Sequence, residues 1–384
     1  MSDVLINRYL ATGQITLDEN LLDAASRLRN QHVGKTITYS KNIFVPLTYY
    51  CRNDCSYCNF KRESGDPFFP PDELQKLLEL ALKTSSIEVL FTHGEKPEEK
   101  YPVVKEFLER EGLETTVELL MRYCKQSLEK GLLPHSNPGI TSREEMKALK
   151  RVNASQGLML ENISDRLALP GMPHHLSPGK VPKARTTVLK NAGELDIPFT
   201  TGLLIGIGET TSEVIESLYR LGDLQERYGH IQEVIIQPCK ACKTGTGVTL
   251  DEKPQAYLFN TIAIARLILD DVPIQAPPNL SSSPDEWTLL LKAGISDFGG
   301  ISSLTVDHVN PSSPWPSLST LAHHVKQRGF KLIQRLPVYP RFITGNWLDE
   351  EVLKIINRYE MADGQGFFNV RNVLTTSKSS SINN

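Results

Sequence analysis

Asn42-Ile-Phe-Val-Pro-Leu-Thr48 is a short apolar run, and it leads straight into Cys51-Arg-Asn-Asp-Cys55-Ser-Tyr-Cys58. A strand-like run that delivers three thiols into the loop behind it organises the rest of the chain. The cysteines are spaced x3 and then x2. Thiolates that close can grip one face of an iron–sulfur cube, and a [4Fe–4S] cube normally takes four Cys ligands. The run supplies three, so one iron is left without a protein ligand. An open iron is a place for chemistry, as an open position is on a catalytic zinc. A zinc knuckle is the competing reading, but structural zinc is usually built from two separated ligand pairs. No second Cys/His pair at finger spacing follows. Three incidental thiols are the remaining alternative.

Composition sets the outer bounds. The chain has 384 residues, 40% hydrophobic and 23% charged, ordinary values for a globular protein with a large core. The net charge of −3 argues against a nucleic-acid partner, which asks for a strongly basic face. No apolar run of about 18 residues exists to span a membrane, and the N-terminus lacks the apolar core of a signal peptide. Six cysteines in so long a chain are not a disulfide scaffold. They read as ligands or free thiols in a reducing compartment, and a cytoplasmic location is expected.

Residues 1–41 read as an N-terminal helical extension, with Leu17, Leu21, Leu22, Ala25 and Leu28 at helical spacing. From 42 to 345 strand-like and helix-like runs alternate. Strands are expected near 42–48, 87–92, 132–136, 156–160, 198–205, 231–237, 272–276 and 301–306. Between them, Leu74, Leu77, Leu78, Ala81 and Leu82 form one helical stripe. Ser142-Arg-Glu-Glu145 and Thr210-Thr-Ser-Glu213 are capping boxes, and Gly229 is a helix stop. Further helices are expected over 183–195, 254–270 and 316–328. Such alternation means a parallel sheet with crossover helices. The expected α/β fold is therefore a (β/α) barrel, either the full eight-stranded form or a six-stranded partial TIM barrel. A C-terminal helical segment over 346–374 and a disordered polar tail over 375–384 complete the expected organisation.

Barrel chemistry gathers at the C-terminal ends of the strands, and polar residues do cluster there. After the cysteine loop come His93, Gly94 and Glu95, then His135 and Asn137, then Glu161 at the end of an apolar strand. His174, Lys180 and Arg185 follow. Gly202, Leu204, Gly206 and Gly208 mark a strand open to close backbone approach. Late in the chain come Gln275, Asn279, Asp307 and His308. Turn chemistry is the plain alternative for the Asn, Asp and Gly positions. Cys239 and Cys242 form a second CxxC, but two thiols complete neither a cluster nor a zinc site, so free thiols are expected.

The cysteine run, with Tyr57 before its last Cys, resembles the CxxxCxxC signature of the radical S-adenosylmethionine (SAM) enzymes. The resemblance implies a [4Fe–4S] cluster on Cys51, Cys55 and Cys58. It also implies SAM chelated at the open iron and cleaved to a 5′-deoxyadenosyl radical. It assigns SAM contacts to His93, Gly94 and Glu95 (where the family usually reads GGE), and to Glu161, Arg185, Tyr57, Gly202, Leu204 and Gly206. The segments FVPLTYYCRNDCSYCNF, LFTHGEKPEEKY, GLLPHSNPG, IPFTTGLLIGIGET, DFGGISSLTVDHVNP and RLPVYP are similar, more specifically, to the 7,8-didemethyl-8-hydroxy-5-deazariboflavin synthases, the first subunit (CofG type) of FO synthase. The chain departs from that family after the sixth strand, reading QPCKACKTGT for the usual QNFxAKPGT.

That family cyclises a hydroxybenzyl–ribityliminouracil adduct to the deazaflavin FO, the chromophore of coenzyme F420, with loss of ammonia. The resemblance implies as partners a second FO synthase subunit (CofH type), which makes the adduct, and an electron donor such as ferredoxin or flavodoxin. Asp307 and His308 are the candidate proton acceptors. The rivals are a sister enzyme, either the tyrosine-using second subunit or a futalosine cyclase, and a non-catalytic iron–sulfur protein.

Overall fold

In the computed structural model, the structure describes residues 2–12, 16–240, 255–281, 283–359, 361–362 and 367–368. Eight parallel strands carry the fold: β1 (Thr36–Pro46), β2 (Glu88–Thr92), β3 (Leu133–Asn137), β4 (Ser155–Gly157), β5 (Phe199–Ile205), β6 (Ile231–Pro238), β7 (Ile274–Gln275) and β8 (Asp297–Ile301). Each pairs with the next, and β8 pairs back onto β1. The full eight-stranded barrel is thus the form adopted, not the six-stranded one. A ninth strand, β9 (Lys331–Arg335), pairs parallel with the first half of β1, from Thr36↔Lys331 to Ser40↔Arg335. The second half of β1 pairs with β2. β9 therefore extends the sheet below β2 on the same edge of β1. Two short strands, β10 (Met361–Ala362) and β11 (Phe367–Phe368), continue it, with β11 antiparallel to β9.

The helices follow local sequence logic. Pro71–Lys83 buries Leu74, Leu78 and Ala81 against the barrel, with Asp72 and Glu73 in its first turn. Both expected capping boxes form: Ser142 caps Arg143–Lys150 and Thr210 caps Thr211–Tyr228, each with its reciprocal glutamate. Gly229 ends the latter helix at φ 66°, a left-handed conformation that glycine adopts without strain. The N-terminal helices Ser2–Thr12 and Glu19–Val33 pack on the barrel wall. Leu21, Leu22 and Ala25 are fully buried there, with Leu17 and Leu28 partly buried beside them.

Four boundaries differ from expectation. β1 begins at Thr36 rather than at 42, because Thr38, Ser40 and Asn42 are buried polar residues and hide the strand from an apolar pattern. β4 is cut to Ser155–Gly157, and Glu161 makes only an isolated bridge to Leu203. β8 spans Asp297–Ile301 instead of 301–306. Its Asp-Phe-Gly-Gly reads as a turn until Arg335 is found beside Asp297. Past 346 the described chain is not wholly helical: the helix Glu350–Ile356 gives way to β10 and β11. The tail over 375–384 lies outside the described residues.

The segment after β9 closes the N-terminal end of the barrel. The Pro337 carbonyl accepts from Ser155 Oγ at 2.5 Å and from Gln232 Nε2 at 3.2 Å, and the Tyr339 amide donates to Gln232 Oε1 at 3.3 Å. Among the described residues, no helix is long and apolar enough to cross a membrane.

Candidate active site

The cysteine loop leaves β1 at the C-terminal mouth of the barrel and is braced by two neighbouring connections. From the β2 side, the Glu95 carbonyl accepts the Arg52 amide at 3.0 Å. From the segment after β4, Leu176 and Pro173 carbonyls accept the Asp54 and Ser56 amides, both at 3.1 Å. The Gly179 amide donates to Asn53 Oδ1 at 2.9 Å. Cys51, Cys55 and Cys58 are free thiols, and all three line one cavity of about 350 Å³ inside the mouth. Burial pushes the Cys51 thiol up and the Cys55 thiol to about 11, with Lys180 acting in the opposite sense on Cys55.

This donor set fits a cube. Among the described residues no three ligand-type side chains converge on one metal ion, and a cube does not ask for that, since each thiolate binds a different iron. The Glu95 amide donates to Cys51 Sγ at 3.2 Å, the kind of N–H···S contact that tunes cluster ligands. Gly94 is required beneath it: a Cβ there would lie 1.9 Å from the Tyr50 carbonyl oxygen and 2.8 Å from Cys51 Cβ.

Beside the thiols sits a compact charged group. Glu161 is buried at the end of the fourth strand segment with φ 65°, and Lys180 Nζ pairs with its carboxylate. Arg185 Nη1 lies 3.9 Å from the same oxygen, and Arg185 Nε donates to the Gly179 carbonyl at 2.9 Å. Burial opposes ionisation of Glu161, but Lys180 and Arg185 outweigh it and hold the carboxyl below its ordinary range. Lys180 and Arg185 thus stand next to the cysteines, with Arg185 acting on both the Glu161 and the Glu95 carboxylates. The Tyr57 hydroxyl bonds His174 Nε2 at 2.9 Å, and burial keeps His174 neutral, near 3. Lys180 also lies 5.7 Å from the Tyr57 ring centre.

The other expected residues divide. His93, Gly94, Glu95, Glu161, Arg185 and Tyr57 all line the cavity with the cysteines. His93 turns Nδ1 to the Gly94 carbonyl at 2.8 Å and leaves Nε2 buried without a partner. Glu95 is pinned by Arg52 at 2.8 Å and by the Ile140 amide at 3.1 Å, so its carboxylate braces the loop.

Gly202, Leu204 and Gly206 are not among the lining residues. Gly202 lets β5 approach β6, since a Cβ would lie 2.1 Å from the Ile235 carbonyl oxygen. Leu204 packs with Leu167 and Ile207 against Tyr57, and the Gly206 amide donates to Glu209 at 3.0 Å. Asp307 lines the cavity, but its carboxylate is taken up by the Val309 and Asn310 amides at 2.9 and 3.0 Å and by Asn279 at 2.9 Å. His308 packs edge-on to Phe44, with Nδ1 2.9 Å from the Tyr49 hydroxyl. Cys239 carries a disulfide rather than a free thiol, and Cys242 lies outside the described residues. A sulfur already bonded to sulfur has no thiolate to give a metal.

Several cavity residues had no role assigned from sequence: Glu88, Glu233 and Arg335. Their signal is a charged residue at the inward phase of an otherwise apolar strand, as in Glu88-Val-Leu-Phe and Glu233-Val-Ile-Ile.

Known proteins place this geometry. The sequence matches the radical SAM superfamily over residues 45–221. It is 45% identical to the 7,8-didemethyl-8-hydroxy-5-deazariboflavin synthase of Methanopyrus kandleri, across 86% of this chain and 99% of that one. The protein of the same name from Methanocaldococcus jannaschii is 44% identical, across 88% and 93%. Among solved structures the fold is similar to methylornithine synthase (TM-score 0.65, 17% identity, 82% of this chain and 88% of that one). It is similar also to the FeFe-hydrogenase maturase HydG of Carboxydothermus hydrogenoformans (TM-score 0.67, 16% identity, 87% and 79%). The closed parallel barrel with three free thiols at its mouth is thus the fold of a radical SAM enzyme, and the chain belongs to the 7,8-didemethyl-8-hydroxy-5-deazariboflavin synthase family.

Proposed function

We propose that this enzyme converts the hydroxybenzyl–ribityliminouracil adduct to FO with release of ammonia, and that Cys51, Cys55 and Cys58 hold the [4Fe–4S] cluster. The observation that carries the reading is the convergence of these three cysteines, Glu161, Lys180 and Arg185 on one cavity in the barrel mouth. When bound, the cluster and SAM supply the abstraction of one hydrogen atom from the substrate.

The chain's own residues do the rest. Lys180 and Arg185 present positive charge to the SAM carboxylate, and Glu161 with the Gly94–Glu95 backbone offers acceptors to its amino group. Asp307 holds the 307–310 turn over the cavity rather than accepting a proton, and His308 braces that turn through Tyr49 and Phe44. The barrel wall keeps water from the reacting carbon and fixes its distance to the substrate. The adduct comes from a second FO synthase subunit of the tyrosine-using type, and a reduced ferredoxin or flavodoxin supplies the electron. We place the enzyme in the cytoplasm, where cluster thiols stay reduced.

Anaerobic incubation of the reconstituted enzyme with SAM, reductant and the adduct tests the reading. Deazaflavin fluorescence appearing together with 5′-deoxyadenosine is expected. 5′-Deoxyadenosine without fluorescence would instead favour a sister enzyme with another substrate.

A further inference from the structure

The cavity has two chemically opposite ends. At the mouth, Lys180 and Arg185 stand beside the cysteines. At the floor, Glu88 of β2, His135 of β3 and Glu233 of β6 line the same space, above Arg335 and Pro337. We propose that this floor is an acceptor-rich subsite that holds the hydroxyl- and N–H-bearing end of the substrate, and so turns its aromatic end towards the cysteines. The inference rests on the function proposed above and names where that substrate's polyol is read.

Charge counting is the first argument. Three buried carboxylates, Glu88, Glu233 and Asp297, share one guanidinium. Arg335 spends its N–H groups on Asp297 (2.6 and 3.0 Å), on Glu233 (2.8 Å) and on the Leu336 carbonyl (2.9 Å). None of these bonds goes to Glu88, which lines the cavity near the Ser40 hydroxyl. Burial raises both Glu88 and Glu233, and the Asp297 charge adds to it in each while Arg335 opposes it, as expected of carboxylates that outnumber their cation. Donors from a ligand would relieve that excess. Glu233 already accepts from Thr200 Oγ1 at 3.0 Å and from Arg335 at 2.8 Å, so an apolar ligand would cost most at Glu88, whose carboxylate it would desolvate.

The tautomer of His135 points the same way. The Ser155 hydroxyl donates its one hydrogen to the Pro337 carbonyl at 2.5 Å, so towards His135 Nδ1, at 2.6 Å, it is an acceptor. Nδ1 therefore carries the imidazole proton. Burial and the Arg335 charge keep the ring neutral, near 4, with the neighbouring Asn137 side chain acting in the opposite sense, so Nε2 keeps its lone pair beside Asn137. His135 thus adds an acceptor to the side of the cavity that Glu88 and Glu233 already occupy. A floor of acceptors suits a chain of hydroxyls and ring N–H groups, while the cationic mouth suits a carboxylate. The same cavity sorts its two ligands by charge.

The test uses reconstituted holoenzyme and two fluorescent probes: the 8-hydroxy-5-deazaflavin ring carrying ribityl at N10, and the same ring carrying methyl. Wild type should bind the ribityl probe at least about 10-fold tighter, because a site built for hydroxyls penalises a ligand lacking them. In Glu88→Gln and in Glu233→Gln the preference should shrink to within about 2-fold, a level at which hydrogen-bond readout is lost. Iron content and Tm check that each variant is folded. The probe pair needs no variant at all, so the wild-type ratio stands even if a variant fails to fold. Equal binding of the two probes by wild type overturns the subsite, as does a full ribityl preference retained in both folded variants. Turnover is read separately. Wild-type enzyme that binds both probes equally yet forms deazaflavin overturns the subsite alone, whereas a wild-type ribityl preference without any deazaflavin formation overturns the proposed reaction alone.

Discussion

The backbone amide of Glu95 donates to Cys51 Sγ at 3.2 Å while the carboxylate of the same residue is gripped by Arg52 at 2.8 Å. One residue after β2 thus both contacts a thiol and ties down the loop that carries it. Gly139 and Gly179 make room for this: a Cβ on either would lie 2.7 or 1.8 Å from the Glu95 side chain.

It follows that Gly179→Ala should loosen the cysteine loop without removing a thiol. Iron retained after desalting should fall below wild type, with Tm lowered by about a degree or more, the effect of about 1 kcal/mol or more on a chain this long. Cys51→Ala, Cys55→Ala or Cys58→Ala should abolish SAM cleavage outright. Retained turnover in any of them would refute the cluster assignment.

The pairing of Lys180 and Arg185 with Glu161 predicts a defect in SAM binding. Lys180→Met should raise the KM for SAM by about 10-fold or more, since a charge-assisted contact contributes roughly 1.5–3 kcal/mol. Steady-state 5′-deoxyadenosine formation against SAM concentration measures it, and an unchanged KM would place Lys180 outside the SAM site.

Cys239 is already disulfide-bonded. Cys239→Ser should therefore leave the iron content near that of one cube, about four per chain. Iron analysis showing a large loss would mean that a second iron site had been overlooked.

Acid stability should carry the mark of Glu213. Its carboxylate accepts from Arg166 at 2.9 and 2.8 Å and from the Thr210 amide at 2.7 Å. Arg166 first, then Ser164 and the Thr210 amide, hold it down near 2, against an ordinary 4.5. A depressed folded pKa stabilises the protein above the unfolded value and loses that stabilisation as pH falls towards the folded one. Wild-type Tm should therefore fall between pH 4.5 and 2. Glu213→Gln should start lower and fall less over that window. Parallel curves would remove Glu213 from the account.

Removing Arg335 from the barrel floor should be severe. Arg335→Leu leaves Asp297 and Glu233 buried without their partner, a loss of about 3–5 kcal/mol. Thermal unfolding monitored by circular dichroism should show a large Tm drop. A change within a degree or two would show that the carboxylates simply take up protons.

What the sequence determined by itself was local. The x3, x2 cysteine spacing, the reciprocal caps at Ser142 and Thr210, and the stripe of Leu74, Leu78 and Ala81 depend on neighbours within a few residues. A chain segment carries that information wherever it sits. The alternation of such segments was enough to specify a parallel barrel, full or partial, and to put Cys51, Cys55, Cys58, Glu95 and Glu161 at its mouth; the pairing of β8 with β1 closed it. The barrel floor was decided only by tertiary structure. Arg335 meets Asp297 at a separation of 38 residues and Glu233 at 102, and β9 exists because β1 has a free edge to pair with. Asp297 reads as a turn residue and Glu233 as a misplaced charge until that guanidinium is beside them. Whether a buried charge is tolerated depends on its partner in space, and no local pattern encodes that partner.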